Sequence, residues 1–332
     1  MTALTNGAGA TAFLRPIRRA DIRACVEVFD RAVVDLHARQ NREPPPYDPG
    51  SLERLVEHLL RHDPDLAWLA EPPSSTADPA PPPVLGFAAA LQRDAAWHLS
   101  LLYVHPDSQG EGLGRRLMLA CLPRGPVPVD PPDGARPRER GTLSVFVDAA
   151  QPVSTGLYAG YGLVPRVPVF TVLGHPDRAS LGPLPEGIAA VPFEAVPSGL
   201  DLDGAVDAVD RATLGHTRAV DHAMWLAEGQ RGVLFVRDGS GEPLGYGYTS
   251  PAGRLGPVAI LDPVLTPGVL GVLLDRERPA GPWIALVPGP HDRALVALLR
   301  AGLRFEGTPG VFAATRPTVA LDRYLPFSFA LP

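Results

Sequence analysis

Apolar residues recur at helical spacing between Ala20 and His37, where Ile22, Cys25, Val26, Phe29, Val33 and Leu36 form one stripe. A second stripe, Leu52, Leu55, Val56, Leu59 and Leu60, follows Ser51, which reads as its N-cap, with Arg54 where a capping box would place an acid. The pattern then shortens. Leu66–Ala70, Val84–Gln92 and Trp97–Val104 read as strands, the first two separated by a proline-rich stretch, Glu71–Pro83, expected to be a mobile loop. A helix is expected over Leu113–Leu122. After it come a second proline-rich insertion, Pro123–Arg140, a strand at Thr142–Val147, a short helix at Ser154–Tyr161 and a strand at Pro168–Leu173.

The same order then returns. Ala205–Leu214 is helical in pattern, and Gly232–Arg237 and Leu244–Ser250 read as a hairpin turning at Asp238-Gly239-Ser240-Gly241. Arg254–Leu261 is a strand, Val269–Arg276 a helix, Trp283–Val287 a strand and Asp292–Ala301 a helix, with strand pattern continuing to about Ala314. Leu85-Gly86-Phe87 corresponds to Leu244-Gly245-Tyr246, Val104-His105-Pro106 to Leu261-Asp262-Pro263, and Gly160-Tyr161-Gly162-Leu163 to Arg300-Ala301-Gly302-Leu303. The repeated element order, more than the identity, predicts two similar domains. The junction is expected in Gly174–Ile188, giving domains at 1–180 and 181–332.

Composition removes several chemistries. All 30 basic residues among the 332 are arginine, so Schiff-base, P-loop and Ser-Lys mechanisms, each of which needs a lysine, are excluded. Forty prolines are more than twice the usual ~5% share. A net charge of −6 argues against a general nucleic-acid binder. Cys25 and Cys121 lie far apart in apolar settings and read as reduced core residues, with no thiolate metal site. Met1–Ala10 lacks the basic start and apolar run of a signal peptide, and no apolar run reaches ~18 residues, so a cytoplasmic chain without membrane contact is expected.

The stretch from Leu101 to Leu117 carries the most chemistry. A buried strand ends at Pro106 and opens onto Gln109-Gly110-Glu111-Gly112-Leu113-Gly114, and a helix starts near Leu113. Glycines at alternate positions bring backbone N–H groups close to an approaching anion with no Cβ between them. The helix N-terminus adds unpaired donors and the positive end of its dipole. Arg115 and Arg116 stand close enough to add charge. Such a cradle for a pyrophosphate needs no lysine.

Gln109-x-x-Gly112-x-Gly114, preceded by Tyr103-Val104-x-Pro106, resembles the acetyl-CoA signature of the GNAT superfamily of N-acetyltransferases. The later Leu157-Tyr158-Ala159-Gly160-Tyr161-Gly162-Leu163 is similar to that family's second motif, and the element order makes the whole chain similar to tandem GNAT proteins. The resemblance implies an α/β (α+β) fold of two GNAT-like domains, each a mixed, mostly antiparallel sheet flanked by helices. It implies acetyl-CoA as co-substrate, with no metal, bound by Tyr103, Val104, Gln109, Gly110, Gly112, Leu113, Gly114 and Arg115. It further implies that the Val104 N–H meets the oxyanion and that Tyr158 protonates the thiolate, the alternative for Tyr158 being a core tyrosine. His98 and Ser100 fall where members often carry a glutamate base. His98 is therefore the candidate base or a core histidine, and Ser100 a candidate for orienting a water. Gln151 departs from the asparagine often found seven residues before the tyrosine.

The second copy lacks the glycine spacing. After Asp262-Pro263 it reads Val-Leu-Thr-Pro-Gly-Val-Leu-Gly, Pro267 removes an amide donor, and Leu298 stands where Tyr158 stands. It is expected to be a degenerate domain that shapes structure or substrate. Asp30, Asp35 and His37 read as solvated charge near where the superfamily often binds acceptors. The segment Gly215–Trp225 groups His216, Arg218, Asp221, His222 and Trp225, for hydrogen bonding or for substrate. The expected activity is acetyl transfer to a small-molecule amine by direct attack in a ternary complex, by a monomer or homodimer that binds no nucleic acid. A protein or peptide acetyltransferase and a non-catalytic acyl-CoA sensor are the alternatives.

Overall fold

The computed structural model describes residues 12–44, 47–73, 82–122, 142–316 and 319–332. The insertion at Pro123–Arg140, and all but the ends of Glu71–Pro83, lie outside the described residues. The chain forms two compact units, Met1–Gln92 with His98–Val127, and Arg93–Trp97 with Pro128–Pro332.

The first unit carries β1 (Phe13–Pro16), α1 (Ile22–Arg39), α2 (Pro49–His62), β2 (Ala67–Glu71), β3 (Gly86–Arg93) up to Gln92, β4 (Ala96–Val104) from His98 onward and α3 (Leu113–Cys121), with the strands in the order β1-β2-β3-β4. β1 and β3 flank β2 antiparallel, Leu14 opposite Ala70 and Leu69 opposite Phe87. The cap of α2 differs from expectation. Asp48 accepts from the Gly50 and Ser51 amides at 3.0 and 3.1 Å, and Ser51 lies inside the first turn. Pro49 decides this, because its fixed φ and missing N–H suit the first helical position. Arg54 then bonds back to Asp48 and to the Ser51 hydroxyl. Cys25 and Cys121 are buried and unbridged, and burial pushes both thiols up to about 12.

The second unit carries β5 (Thr142–Asp148), α4 (Pro152–Ala159), β6 (Val164–Gly174), β7 (Ile188–Pro192), α5 (Leu202–Thr213), α6 (Ala219–Ala227), β8 (Arg231–Arg237), β9 (Pro243–Thr249) and β10 (Arg254–Ile260). It continues with α7 (Thr266–Arg276), β11 (Trp283–Pro288), α8 (Asp292–Arg300), β12 (Arg304–Ala314) and β13 (Tyr324–Leu325). Its sheet runs β5-β12-β6-β11-β10-β9-β8-β7, with β13 on β10. β12 lies between β5 and β6, pairing Val311 with Val147 and with Pro168, while β6 pairs onward with β11, Phe170 opposite Val287. β6 of the first repeat thus pairs with β11 and β12 of the second, and β12 pairs with β5 and β6 of the first. These pairings are why β5, α4 and β6 group with the C-terminal unit.

Glycines fix the close approach of strands in both repeats. A Cβ on Gly86 would sit 2.9 Å from the Tyr103 carbonyl oxygen and 3.2 Å from the Val104 Cα. One on Gly245 would sit 2.5 Å from the Ala259 oxygen and 3.1 Å from the Ile260 Cα. The repeated Leu-Gly-aromatic landmark therefore marks where β3 and β9 press against the next strand. On one face of the second sheet, Leu265, Val269, Leu270, Leu273, Leu274, Trp283 and Leu298 form a continuous core. Each such side chain contributes roughly 1.5–3 kcal/mol by leaving water.

Candidate active site

β4, the turn after it and α3 build the site, all within residues of the first unit from His98 onward. Pro106 ends the strand and starts a single 3-10 turn, Pro106–Ser108, in which the His105 imidazole accepts from the Asp107 amide at 3.3 Å. Four residues, Gln109 to Gly112, then carry the chain to α3. Gly110 and Gly112 adopt φ of +85° and +76°, and Gly112 is the left-handed N-cap of the helix. Only glycine takes such angles without strain. Nothing lies within 4 Å of where a Cβ would sit on either residue. The loop therefore presents bare backbone to open space at a helix N-terminus, which suits a pyrophosphate. α3 is held by its other face, where Leu113, Leu117, Met118 and Cys121 are buried at i, i+4, i+5 and i+8.

Several expected site residues come together here. The Gln109 amide donates from Nε2 to the Val104 carbonyl at 3.1 Å, tying loop to strand. Gly114 faces the Val104 side chain, 3.7 Å from the position of an added Cβ. Leu113 is buried, and Arg115 is exposed at the first turn of α3. Arg116 is engaged elsewhere, its Nη2 donating to the Ala12 carbonyl at 2.6 Å, which draws it toward the chain preceding β1. His98 lies in β4 at 3% exposure, between buried Trp97 and Leu99.

Tyr103 packs edge-on against Phe29 of α1 at 4.6 Å, and Phe29 against Tyr47 at 5.0 Å, so α1 braces the site strand through an aromatic row. Burial pushes the Tyr103 phenol up to about 12, so it stays protonated at neutral pH. This brace was not read from the sequence. Phe29 is one member of the α1 stripe, and nothing local in the sequence links it to Tyr103. Tyr47 also donates to Asp30 at 3.4 Å.

Tyr158 belongs to the second unit, buried at 5% exposure in α4. Pro152 opens that helix, Gln151 precedes it, and Gly162 at φ +81° follows it, with the Leu163 amide bonded to the Tyr158 carbonyl at 3.1 Å.

A second cluster of titratable groups occupies the second unit. It contains the segment Gly215–Trp225, whose second half forms α6. Arg218 donates to Asp210 at 3.2 Å, to Tyr324 at 2.7 Å, to Tyr246 at 2.5 Å and to the Pro332 carbonyl. His222 bridges Asp210 at 2.8 Å and Tyr248 at 2.7 Å, and Tyr246 also donates to Asp210. Burial works against the Asp210 carboxylate, but Arg218 and His222 outweigh it and hold the group below its ordinary range. Burial and nearby Arg218 push His222 down despite its bond to Asp210. Asp221 pairs with Arg93 at 2.6 Å in the same unit. Arg218, Asp221 and His222 are thus committed to internal bonds, which is the hydrogen-bonding reading of this segment. Among the described residues no group of three or more His, Cys, Asp or Glu is placed to hold a metal ion.

A family model described as acetyltransferase (GNAT) domain matches residues 81–127, the stretch holding β3, β4, the glycine loop and α3. No curated protein matches the chain significantly. Among solved structures, a candidate acetyltransferase from Pyrococcus horikoshii is 18% identical with a TM-score of 0.68, over 100% of this chain and 99% of that one. A GCN5-related N-acetyltransferase from Sphaerobacter thermophilus is 19% identical at 0.56, over 94% and 98%. A tandem GNAT protein from the clavulanic acid biosynthesis pathway is 19% identical at 0.52, over 92% and 99%. At these identities the likeness is one of fold, and it extends over nearly the full length of all three. No helix among the described residues is long and apolar enough to cross a membrane. The chain shares the fold of a tandem GNAT protein, and its residues 81–127 are similar to the GNAT acetyltransferase domain.

Proposed function

We propose that the chain is an acetyl-CoA-dependent N-acetyltransferase that acetylates a small-molecule amine by direct attack in a ternary complex. The observation that carries this reading is the open loop at Gly110 and Gly112, set between β4 and the N-terminus of α3. In this proposal Gln109, Gly110, Gly112, Leu113, Gly114 and Arg115 hold the pyrophosphate, and Tyr103 and Val104 lie along the pantetheine. Acetyl-CoA supplies the thioester. The Val104 N–H meets the oxyanion, and Tyr158 donates the proton that the thiolate needs on leaving. His98 takes the ammonium proton, directly or through water. The acetyl-CoA domain is assigned to residues 1–180 and the degenerate partner domain to 181–332, in a cytoplasmic monomer or homodimer. No metal enters the scheme.

The test is thiol release from acetyl-CoA in the presence of a panel of small amines and of peptides. Release that depends on a small amine supports the proposal, and release with peptides alone moves the acceptor to protein. Saturable acetyl-CoA binding with no release by any acceptor would make the chain a sensor.

A further inference from the structure

The two sequence repeats end their fourth strands alike and then diverge. In the first, the 3-10 turn Pro106–Ser108 is followed by the four-residue loop Gln109–Gly112 before α3 begins. In the second, the matching turn Pro263–Leu265 is capped in the same way, with Asp262 accepting from the Val264 amide at 2.9 Å, but α7 starts at the next residue. The loop is missing. The first two turns of α7 are also covered on one side. A Cβ on Gly268 would lie 2.7 Å from the Pro183 carbonyl oxygen and 2.9 Å from the Leu184 Cα, and one on Gly271 3.0 Å from the Gly182 oxygen. Leu181–Leu184, in the connection between the repeats, thus packs against the first turns of α7. At Gly110 and Gly112 the same construction meets nothing within 4 Å.

The sheet is filled as well. β10 runs parallel to β11 for only two pairs, Arg254 with Ile284 and Leu255 with Ala285. Farther along, Val258 and Ala259 pair antiparallel with Leu325 and Tyr324 of β13, and the Ile260 amide donates to the Arg323 carbonyl at 3.0 Å. The Arg323 guanidinium returns a bond to the Leu261 carbonyl at 3.2 Å. A strand edge that leaves its neighbour presents unpaired backbone groups, and an extended ligand can bind there by strand addition. Here that ligand is the chain itself. It is anchored on both faces, for Leu325 joins the apolar core and Tyr324 accepts from Arg218 at 2.7 Å.

We infer that the second repeat is permanently self-occupied, with Arg323–Leu325 in its sheet opening and Leu181–Leu184 packed along the first two turns of its helix, so that the chain binds one acyl-CoA and not two. The stoichiometry rests on the acyl-CoA reading of the first repeat; the self-occupancy does not. The opening beside β10 is therefore a structural joint: Tyr324 binds the polar cluster of α5 and α6 while Leu325 joins the core beside α7.

Calorimetric titration of the full chain with acetyl-CoA should give one molar equivalent, and Gly112→Asp should remove it. Two equivalents, or an equivalent that survives Gly112→Asp within about tenfold of the original Kd, overturns the inference. Hydrogen exchange on the full chain without ligand is the independent arm. The amides of 258–261 and 323–325 should exchange slowly, and their protection should change by less than about twofold when saturating acetyl-CoA is added. Rapid exchange there, or opening on addition of acetyl-CoA, overturns it too. A wild-type chain that binds no acetyl-CoA would sink the enzymatic proposal, and exchange would still decide self-occupancy.

Discussion

Tyr158 sits in a helix whose end the sequence marks with Gly160 and Gly162. Replacing it with phenylalanine removes one hydroxyl and little volume. If that hydroxyl protonates the thiolate, Tyr158→Phe lowers kcat by roughly 10²-fold or more with the acetyl-CoA Kd unchanged. An unaltered kcat in steady-state kinetics would leave Tyr158 as a core residue. His291 was invisible as a special residue, since a histidine before a helix is ordinary in sequence. In the structure it is fully buried, and among the described residues neither ring nitrogen has a hydrogen-bond partner. Burial pushes its pKa down to about 4, and Asp322 and Asp292 offset only part of that. Between an unfolded value near 6.5 and about 4, the unfolded chain binds a proton that the folded chain refuses, so stability falls as pH drops through that window. Between pH 6.5 and 4.5 the wild type should lose about 2 kcal/mol more than His291→Leu in urea unfolding. Parallel pH profiles would remove His291 from the acid sensitivity.

The elements were legible where a single pattern sufficed. α1, α2 and α3 follow their apolar stripes to within a few residues, and the β8–β9 hairpin turns at Asp238–Gly241 as its glycines require. β1, β7 and β13 were not assigned from sequence. Each is short, and its strand state comes from a partner distant in the chain, such as Glu71 for Phe13 or Val258 for Leu325. α6 was missed for another reason. Its polar residues, Asp221 and His222, are buried by bonds to Arg93, Asp210 and Tyr248, so polarity did not mark an exposed face. Gly86 was read only as a landmark, and its cause is the contact of β3 with β4. Gly86→Ala sets a Cβ 2.9 Å from the Tyr103 oxygen, so β4 must shift beside the site. A loss of about 1–3 kcal/mol in chemical unfolding, together with weaker acetyl-CoA binding, is expected. Wild-type stability and affinity would show that β4 has slack at this point.

At the scale of the whole chain, the repeated element order is readable although identity between the halves is weak. The cross-pairing of β6 and β12 was not readable. β6 and β12 carry the same alternation whichever repeat they pair with, and only the register, Val147 with Val311 and Phe170 with Val287, reveals the choice. Arginine without lysine is consistent with a site built from backbone amides, since the loop that carries the functional reading asks for glycines and a helix end. The most direct measurement is an electron-density map of the full chain grown with acetyl-CoA. The account predicts pyrophosphate density on the amides from Gly110 to Arg115, the thioester beside Val104, and β13 still paired with β10. Density at the N-terminus of α7, or a well-ordered acetyl-CoA that avoids the Gly110–Gly112 loop, would contradict it.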